Sequence, residues 1–220
     1  MHRICSLLSI TSVLAVSCWS GASCLPQVSS SAADLDTRVR KFLDSRRGTW
    51  RDMNVPTSDG QELHNIIVRH TYRSALEIGT STGHSGIWIA WALSKTGGKL
   101  VTIEIDRSRH AEALANFREA GVADYIDARL GDAHVIVPAL AGPFDFVFLD
   151  ADKDWYRNYL EAVLPKLSVG GCFVAHNVSD YGWGYSREFL EYARSLPFLE
   201  TTVLRSSRSG MSVSYKRAAR

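Results

Sequence analysis

Apolar positions recur along this chain with two different periods. Leu35, Val39, Phe42 and Leu43 share one face of a helix predicted from residue 34 to about 46, with Asp34 opening it and Asp36 in a first turn where a carboxylate suits the helix dipole. Ser58 is placed to cap a second helix, with Glu62 a few residues on and Leu63, Ile66 and Ile67 as its apolar stripe. The period then shortens. Apolar runs at 75–78, 100–105, 144–149 and 172–175, each bounded by Gly, Asp or Pro, read as buried strands. Amphipathic stretches at 86–93, 108–120 and 155–167 read as the helices between them. Strand and helix in alternation predict an α/β fold, a parallel sheet covered on both faces. Residues 201–205, a turn at 207–210 and residues 212–215 read as a closing β-hairpin.

Residues 1–33 follow another pattern. Arg3 precedes thirteen uncharged residues from Ile4 to Val16, and small residues follow around Ser17 to Ser23, the layout of a signal-like or anchor segment over 1–24. Residues 25–33, rich in Ser and Ala, read as a flexible tether, which leaves 34–220 as a single domain. A membrane-associated or exported protein is the expectation, with membrane association through residues 4–25; a cytoplasmic protein is the alternative. Three of four cysteines lie in the leader, so the body, with Cys172 alone, has no disulfide framework. The net charge of +2, from 25 basic and 23 acidic residues, gives no electrostatic footprint for nucleic acid. Composition leaves a homodimer open.

The candidate chemistry gathers where the predicted strands end, the edge at which open parallel sheets bind ligands. The first end runs from Glu77 through Gly79, Ser81, Gly83 and Ser85; the two glycines would let backbone pass close to a ligand. Its Gly-x-x-x-Gly spacing is not the Gly-x-Gly-x-x-Gly of a dinucleotide site, which argues against NAD. The second end, Ile103-Glu104-Ile105-Asp106, offers a carboxylate able to accept both hydroxyls of a ribose, or only a solvated acid. Asp132, after the third, is placed to meet an adenine amino group or to cap a helix. The fourth delivers Asp150, Asp152 and Lys153 within four residues, hard oxygen ligands beside a potential base. His176 and Asn177 follow the fifth.

With these residues on the page, the chain resembles the class I S-adenosylmethionine-dependent O-methyltransferases, in the catechol and caffeoyl-CoA O-methyltransferase group. The likeness runs from Met53-Asn54-Val55-Pro56 through the 77–85 loop, Glu104 and the 150–153 block to Asn177. It implies a Rossmann-like sheet of seven strands, mostly parallel with a reversed last strand, and S-adenosyl-L-methionine as cofactor. Met53, Asn54 and Val55 would pack on the methionine end with Glu77, Gly79 and Ser85 around it. Glu104 would hold the ribose, and Ile103, Ala133 and His134 would border the adenine. Asp150, His176 and Asn177 would be the divalent-metal ligands and Lys153 the general base toward a small, phenolic or catechol-like hydroxyl acceptor. Two positions depart from the pattern. His176 stands where the family usually has Asp, which suits Mn²⁺, Fe²⁺ or Zn²⁺ better than Mg²⁺, or else leaves no metal and makes His176 a second candidate base. In the hairpin, Ser212 replaces the acid that grips the non-reacting hydroxyl of a catechol. Tyr181, Trp183 and Tyr185 would wall an aromatic acceptor or merely pack their loop. A fold-alike that binds the cofactor without turnover is the remaining alternative.

Overall fold

The computed structural model describes residues 30–50, 52–181, 184–204 and 209–218. The leader, Trp183 and half of the predicted hairpin turn, residues 207 and 208, lie outside them. Helix α1 (Ser30–Ser45) starts four residues before the predicted opening, so residues 30–33 of the expected tether are helical. Asp36 is thereby moved out of the first turn. It works instead through tertiary contacts, accepting from Trp91 Nε1 at 2.6 Å and pairing with Lys95 Nζ at 2.5 Å. Val39, Phe42 and Leu43 are buried as the pattern required. Helix α2 (Thr57–His70) follows Pro56, whose fixed φ suits entry to a helix; Ser58 lies inside the first turn and is not its cap.

Strands and helices then alternate as expected, with one further strand and one further helix, at 126–130 and 133–139, for which the pattern gave no element. Strand β1 (Ser74–Ile78) leads into α3 (His84–Thr96), β2 (Lys99–Glu104) into α4 (Arg107–Ala120), and β3 (Ile126–Leu130) into α5 (Ala133–Ala139). Asp106 and Asp132 cap α4 and α5 through backbone N–H groups at Arg109 and His134. The short α5, interrupted by Pro138, has no periodic signal long enough to predict. Strand β4 (Phe144–Leu149), helix α6 (Tyr156–Val163), strand β5 (Leu167–His176), helix α7 (Tyr185–Ser195) and the hairpin β6 (Leu199–Leu204) and β7 (Met211–Lys216) complete the chain. Helix α6 is shorter than the predicted 155–167 because 3₁₀ turns flank it on both sides.

The seven strands form one sheet of order β3-β2-β1-β4-β5-β7-β6, parallel except for antiparallel β7 against both neighbours. One face is covered by α5, α6 and α7 through Val137, Tyr156, Leu160 and Phe189. The other carries α2 and α3, with α1 and α4 packed around Trp88, Trp91 and Phe117. Phe146 and Phe148 bury into one layer and Val147 and Leu149 into the other, which is why β4 reads as an unbroken apolar run. The order reverses between β1 and β4. That reversal opens the crevice in which the site lies.

Candidate active site

Parallel register brings four strand ends level. Ile78 pairs with Ile103 and with Leu149, and Leu149 with Ala175. The residues one step beyond, Gly79, Glu104, Asp150 and His176, therefore share one edge, and a cavity of about 760 Å³ opens over it. That volume suits a nucleoside-sized ligand with room for a second small molecule.

Glu104 is 6 % exposed and firmly aimed. Its Oε2 accepts from the Ser81 backbone N–H at 2.7 Å and its Oε1 from that of Asp106 at 2.9 Å. Two backbone donors thus fix the carboxylate on the cavity wall and leave lone pairs for a diol. Asp132, Ala133 and His134 form the neighbouring wall. The His134 ring stacks on Trp155 with centroids 3.7 Å apart, and its Nε2 meets Asp152 Oδ2 at 3.0 Å. Tyr159 donates to the other Asp152 oxygen at 2.8 Å.

A strap from Asp52 to Pro56 supplies a further stretch of the lining, Met53 to Pro56. Asp52 and Met53 both have φ of 64°, a conformation costly for residues with a side chain. Outside contacts hold it there: Arg109 pairs with both Asp52 oxygens at 2.7 Å, and Asn54 Nδ2 donates to Thr82 Oγ1 at 2.7 Å. His84 donates from Nδ1 to the Val55 carbonyl at 2.9 Å and accepts from Trp88 Nε1 at 3.1 Å. Burial pushes its pKa down to about 4, so this ring is a neutral structural bracket.

The densest polar contacts lie around Asp150. Lys153 Nζ donates to Asp150 Oδ1 and to the Tyr156 hydroxyl, each at 2.6 Å. On the other side, His176 Nδ1 lies 3.1 Å from Asp150 Oδ2, within ion-pair distance though off the axis of a well-formed hydrogen bond. The far ring nitrogen, Nε2, donates to Asp59 Oδ2 at 2.9 Å. Asp59, from the first turn of α2, is wholly buried. Burial works against the imidazolium, yet Asp150 and Asp59 together push the His176 pKa up to about 9. Burial likewise opposes ionisation of Asp150, and the two cations hold its carboxyl below the ordinary range despite it.

The profile of the O-methyltransferase family matches residues 27–187. This chain belongs to the O-methyltransferase family. Among its relatives, the catechol O-methyltransferase of Niastella koreensis is 38% identical over 130 residues, 57% of this chain and 58% of that protein. The caffeoyl-CoA O-methyltransferase 1 of Eucalyptus globulus is 37% identical over 127 residues, 56% of this chain and 51% of that protein. The matched part thus spans little more than half the length of these curated relatives. Solved structures extend the likeness of fold. TomG of Streptomyces achromogenes, an O-methyltransferase of tomaymycin synthesis in complex with SAM, aligns with a TM-score of 0.70 at 29% identity over 82% of this chain and 90% of its own. The Bacillus cereus O-methyltransferase in complex with SAH aligns with a TM-score of 0.70 at 25% identity, over 83% and 91%.

Most residues that the sequence nominated line the cavity: Met53, Asn54, Val55, Gly79, Ser81, Ser85, Ile103, Glu104, Asp132, Ala133, His134, Asp150, Asp152, Lys153, His176 and Asn177. Glu77 and Gly83 do not. Glu77 is fully buried beneath the loop, accepting from Thr102 Oγ1 at 2.6 Å, and burial lifts its pKa to about 7. The two glycines also serve another purpose than ligand approach. At φ of 97° and 96°, a side chain on Gly79 would strike the Asp150 carbonyl at 2.5 Å, and one on Gly83 the Phe117 ring at 2.7 Å. Tyr181, 81% exposed, and Tyr185, which donates to the Asn177 carbonyl at 3.3 Å, pack the loop and do not wall the cavity. Sequence reading missed Arg109, Tyr159, Ser209 and above all Asp59, for none of which does a local motif announce the contact.

The resemblance implies a divalent metal at Asp150, His176 and Asn177, and all three line the cavity. His176 Nε2 donates to Asp59, while its buried Nδ1 has no hydrogen-bond partner and lies 3.1 Å from Asp150 Oδ2. Asp150 Oδ1 is engaged by Lys153.

Proposed function

We propose that this protein is an S-adenosylmethionine-dependent O-methyltransferase that methylates a hydroxyl of a small, phenolic or catechol-like acceptor, with Lys153 taking the proton. One observation carries the reading: a single cavity joins a carboxylate pre-aimed by two backbone donors, Glu104, to an amine held at a fixed place, Lys153. The SAM- and SAH-bound relatives support the choice of cofactor.

Bound there, S-adenosylmethionine supplies a methyl already activated on a sulfonium. What remains for the chain is alignment and deprotonation. Glu104 would accept the ribose hydroxyls, and Ile103, Ala133 and His134 would border the base. The strap carrying Met53 and Val55 would cover the methionine end and exclude water. Lys153, as a free amine, would accept the proton of the acceptor hydroxyl at Nζ. The ammonium so formed would be held by the Asp150 carboxylate and the Tyr156 hydroxyl, the two partners Nζ already has. Ser212 is fully buried and does not reach the cavity, so it is not placed to grip the second hydroxyl of a catechol.

Calorimetry with S-adenosylmethionine, followed by mass-spectrometric detection of methyl transfer to a panel of phenols and catechols, tests the proposal. Cofactor binding with methylated product is expected. Binding without product from any acceptor would leave a cofactor-binding protein of the same fold.

A further inference from the structure

We propose that Arg109 and Asp52 are positioning residues of the cofactor site: their ion pair clasps the strap against the loop that aims Glu104, and governs how fast the spent cofactor leaves. The inference rests on the cofactor proposed above and concerns a rate that the binding residues alone do not set.

The clasp closes a ring of hydrogen bonds around the Glu104 carboxylate. Ser81 donates from its backbone to Glu104 Oε2 at 2.7 Å and from its hydroxyl to the Asp52 carbonyl at 2.5 Å. Both Asp52 carboxylate oxygens accept from the Arg109 guanidinium, each at 2.7 Å. Arg109 in turn donates its backbone N–H to Asp106 Oδ1 at 2.8 Å, and the Asp106 N–H returns to Glu104 Oε1 at 2.9 Å. The two backbone donors that fix Glu104 are thus tied to each other through the strap. Every link but one has a backbone group on one side; the exception is the pair of charged side chains, Asp52 and Arg109.

Opposing forces meet at that pair. Asp52 and Met53, consecutive residues at φ of 64°, are drawn away from this conformation by backbone strain. A bidentate guanidinium on the Asp52 carboxylate holds them in it. Arg109 is the third residue of α4, an end of the helix dipole that disfavours a cation, so the helix itself gains nothing from its charge. Met53 is 71% exposed although it lines the cavity, so a ligand seated against the strap would bury apolar surface now in water. The strap is therefore coupled to the ligand on one side and to a partly exposed, salt-screened ion pair on the other.

Release of radiolabelled S-adenosylhomocysteine from the full chain, chased with unlabelled ligand, tests the proposal. Asp52→Asn removes the charge with a residue that tolerates the left-handed conformation, and Arg109→Gln removes the other charge. Each should speed release about tenfold with association changed much less, and the double variant should release no faster than either single one, because the same interaction is lost in all three. A merely structural loss would instead lower the fraction of protein that binds. Raising salt from about 0.05 to about 0.5 M should speed release from the parent and leave the variants unmoved. Single variants that release at the parent's rate, or effects that multiply in the double variant, would overturn the clasp. If a variant does not fold, the parent decides, and release independent of salt overturns it. A parent that binds no S-adenosylhomocysteine counts against the cofactor reading itself. Hydrogen exchange then reads the clasp without ligand: the backbone amides of residues 53–55 should exchange faster in both variants than in the parent, and equal exchange would overturn the proposal.

Discussion

Lys153 and Glu104 both line one cavity, and their roles should separate cleanly in kinetics. Lys153→Ala is expected to lower kcat by ~10²–10⁴ while leaving cofactor affinity nearly intact, as removal of a general base does. Glu104→Ala should do the reverse, weakening S-adenosylmethionine binding by ~1.5–3 kcal/mol, the range for a hydrogen bond to a charged group, as read by calorimetry. Equal loss of kcat and affinity in both variants would dissolve the distinction. Glu77 makes a different prediction, about stability. Its carboxyl is ordinarily half-ionised at 4.5 and is lifted to about 7 in the fold, where it is fully buried. Between those values the folded state holds a proton that the unfolded chain has released, so the group lowers stability progressively as pH rises through the window. Glu77→Gln removes that penalty. Urea denaturation should find the variant and parent similar at pH 4.5 and the variant more stable above pH 7, by up to about 3 kcal/mol. A pH-independent difference would show that ionisation is not the cause.

Among the elements, α1 shows how the site is supported from a distance. Its Arg38 donates from Nε and Nη2 to the Glu119 and Arg118 carbonyls at 2.9 and 2.6 Å, the open end of α4. At the other end of α4, Arg109 holds the strap through Asp52. Phe42, 4% exposed, packs edge-on to Trp50, and Trp50 stacks on His84, which brackets the strap at Val55. Phe42→Ala should cost ~3–5 kcal/mol of folding stability by leaving a cavity among these rings. Denaturant titration measures that cost. An α1 that merely lay on the surface would give less than about 1 kcal/mol.

For the molecule as a whole, the ligand crevice is a product of strand order. β1 and β4 are neighbours whose connections leave to opposite sides, so their ends part without a helix to fill the gap. A ligand seated there touches the ends of four strands and should stabilise the whole fold. S-adenosylmethionine at about 100 times its Kd is expected to add ~2.7 kcal/mol to unfolding, seen as a raised Tm, whereas NAD should not shift it. An equal shift with NAD would reopen the nucleotide-dependent oxidoreductase class that the glycine spacing disfavours. Among the described residues no helix is long and apolar enough to cross a membrane.

The four central parallel strands and the residues at their ends were legible because buried parallel strands write themselves as short apolar runs, and the residue after each run meets the sheet edge whatever packs around it; the partly exposed β3 left no such run. Glu104, Asp150, Lys153 and His176 were found this way. Local signals failed where a tertiary contact outweighed them. Ser58 carries a capping side chain, yet Pro56 sets the start of α2; Asp36 suits a helix terminus, yet Lys95 and Trp91 claim it. Glu77 belongs to the same motif as Gly79, but strand alternation turns its side chain into the core. The decisive case is Asp59, 117 residues from His176. No pattern local to either residue links a helix first turn to the end of β5. Only folding α2 over the sheet brings the second carboxylate to the ring.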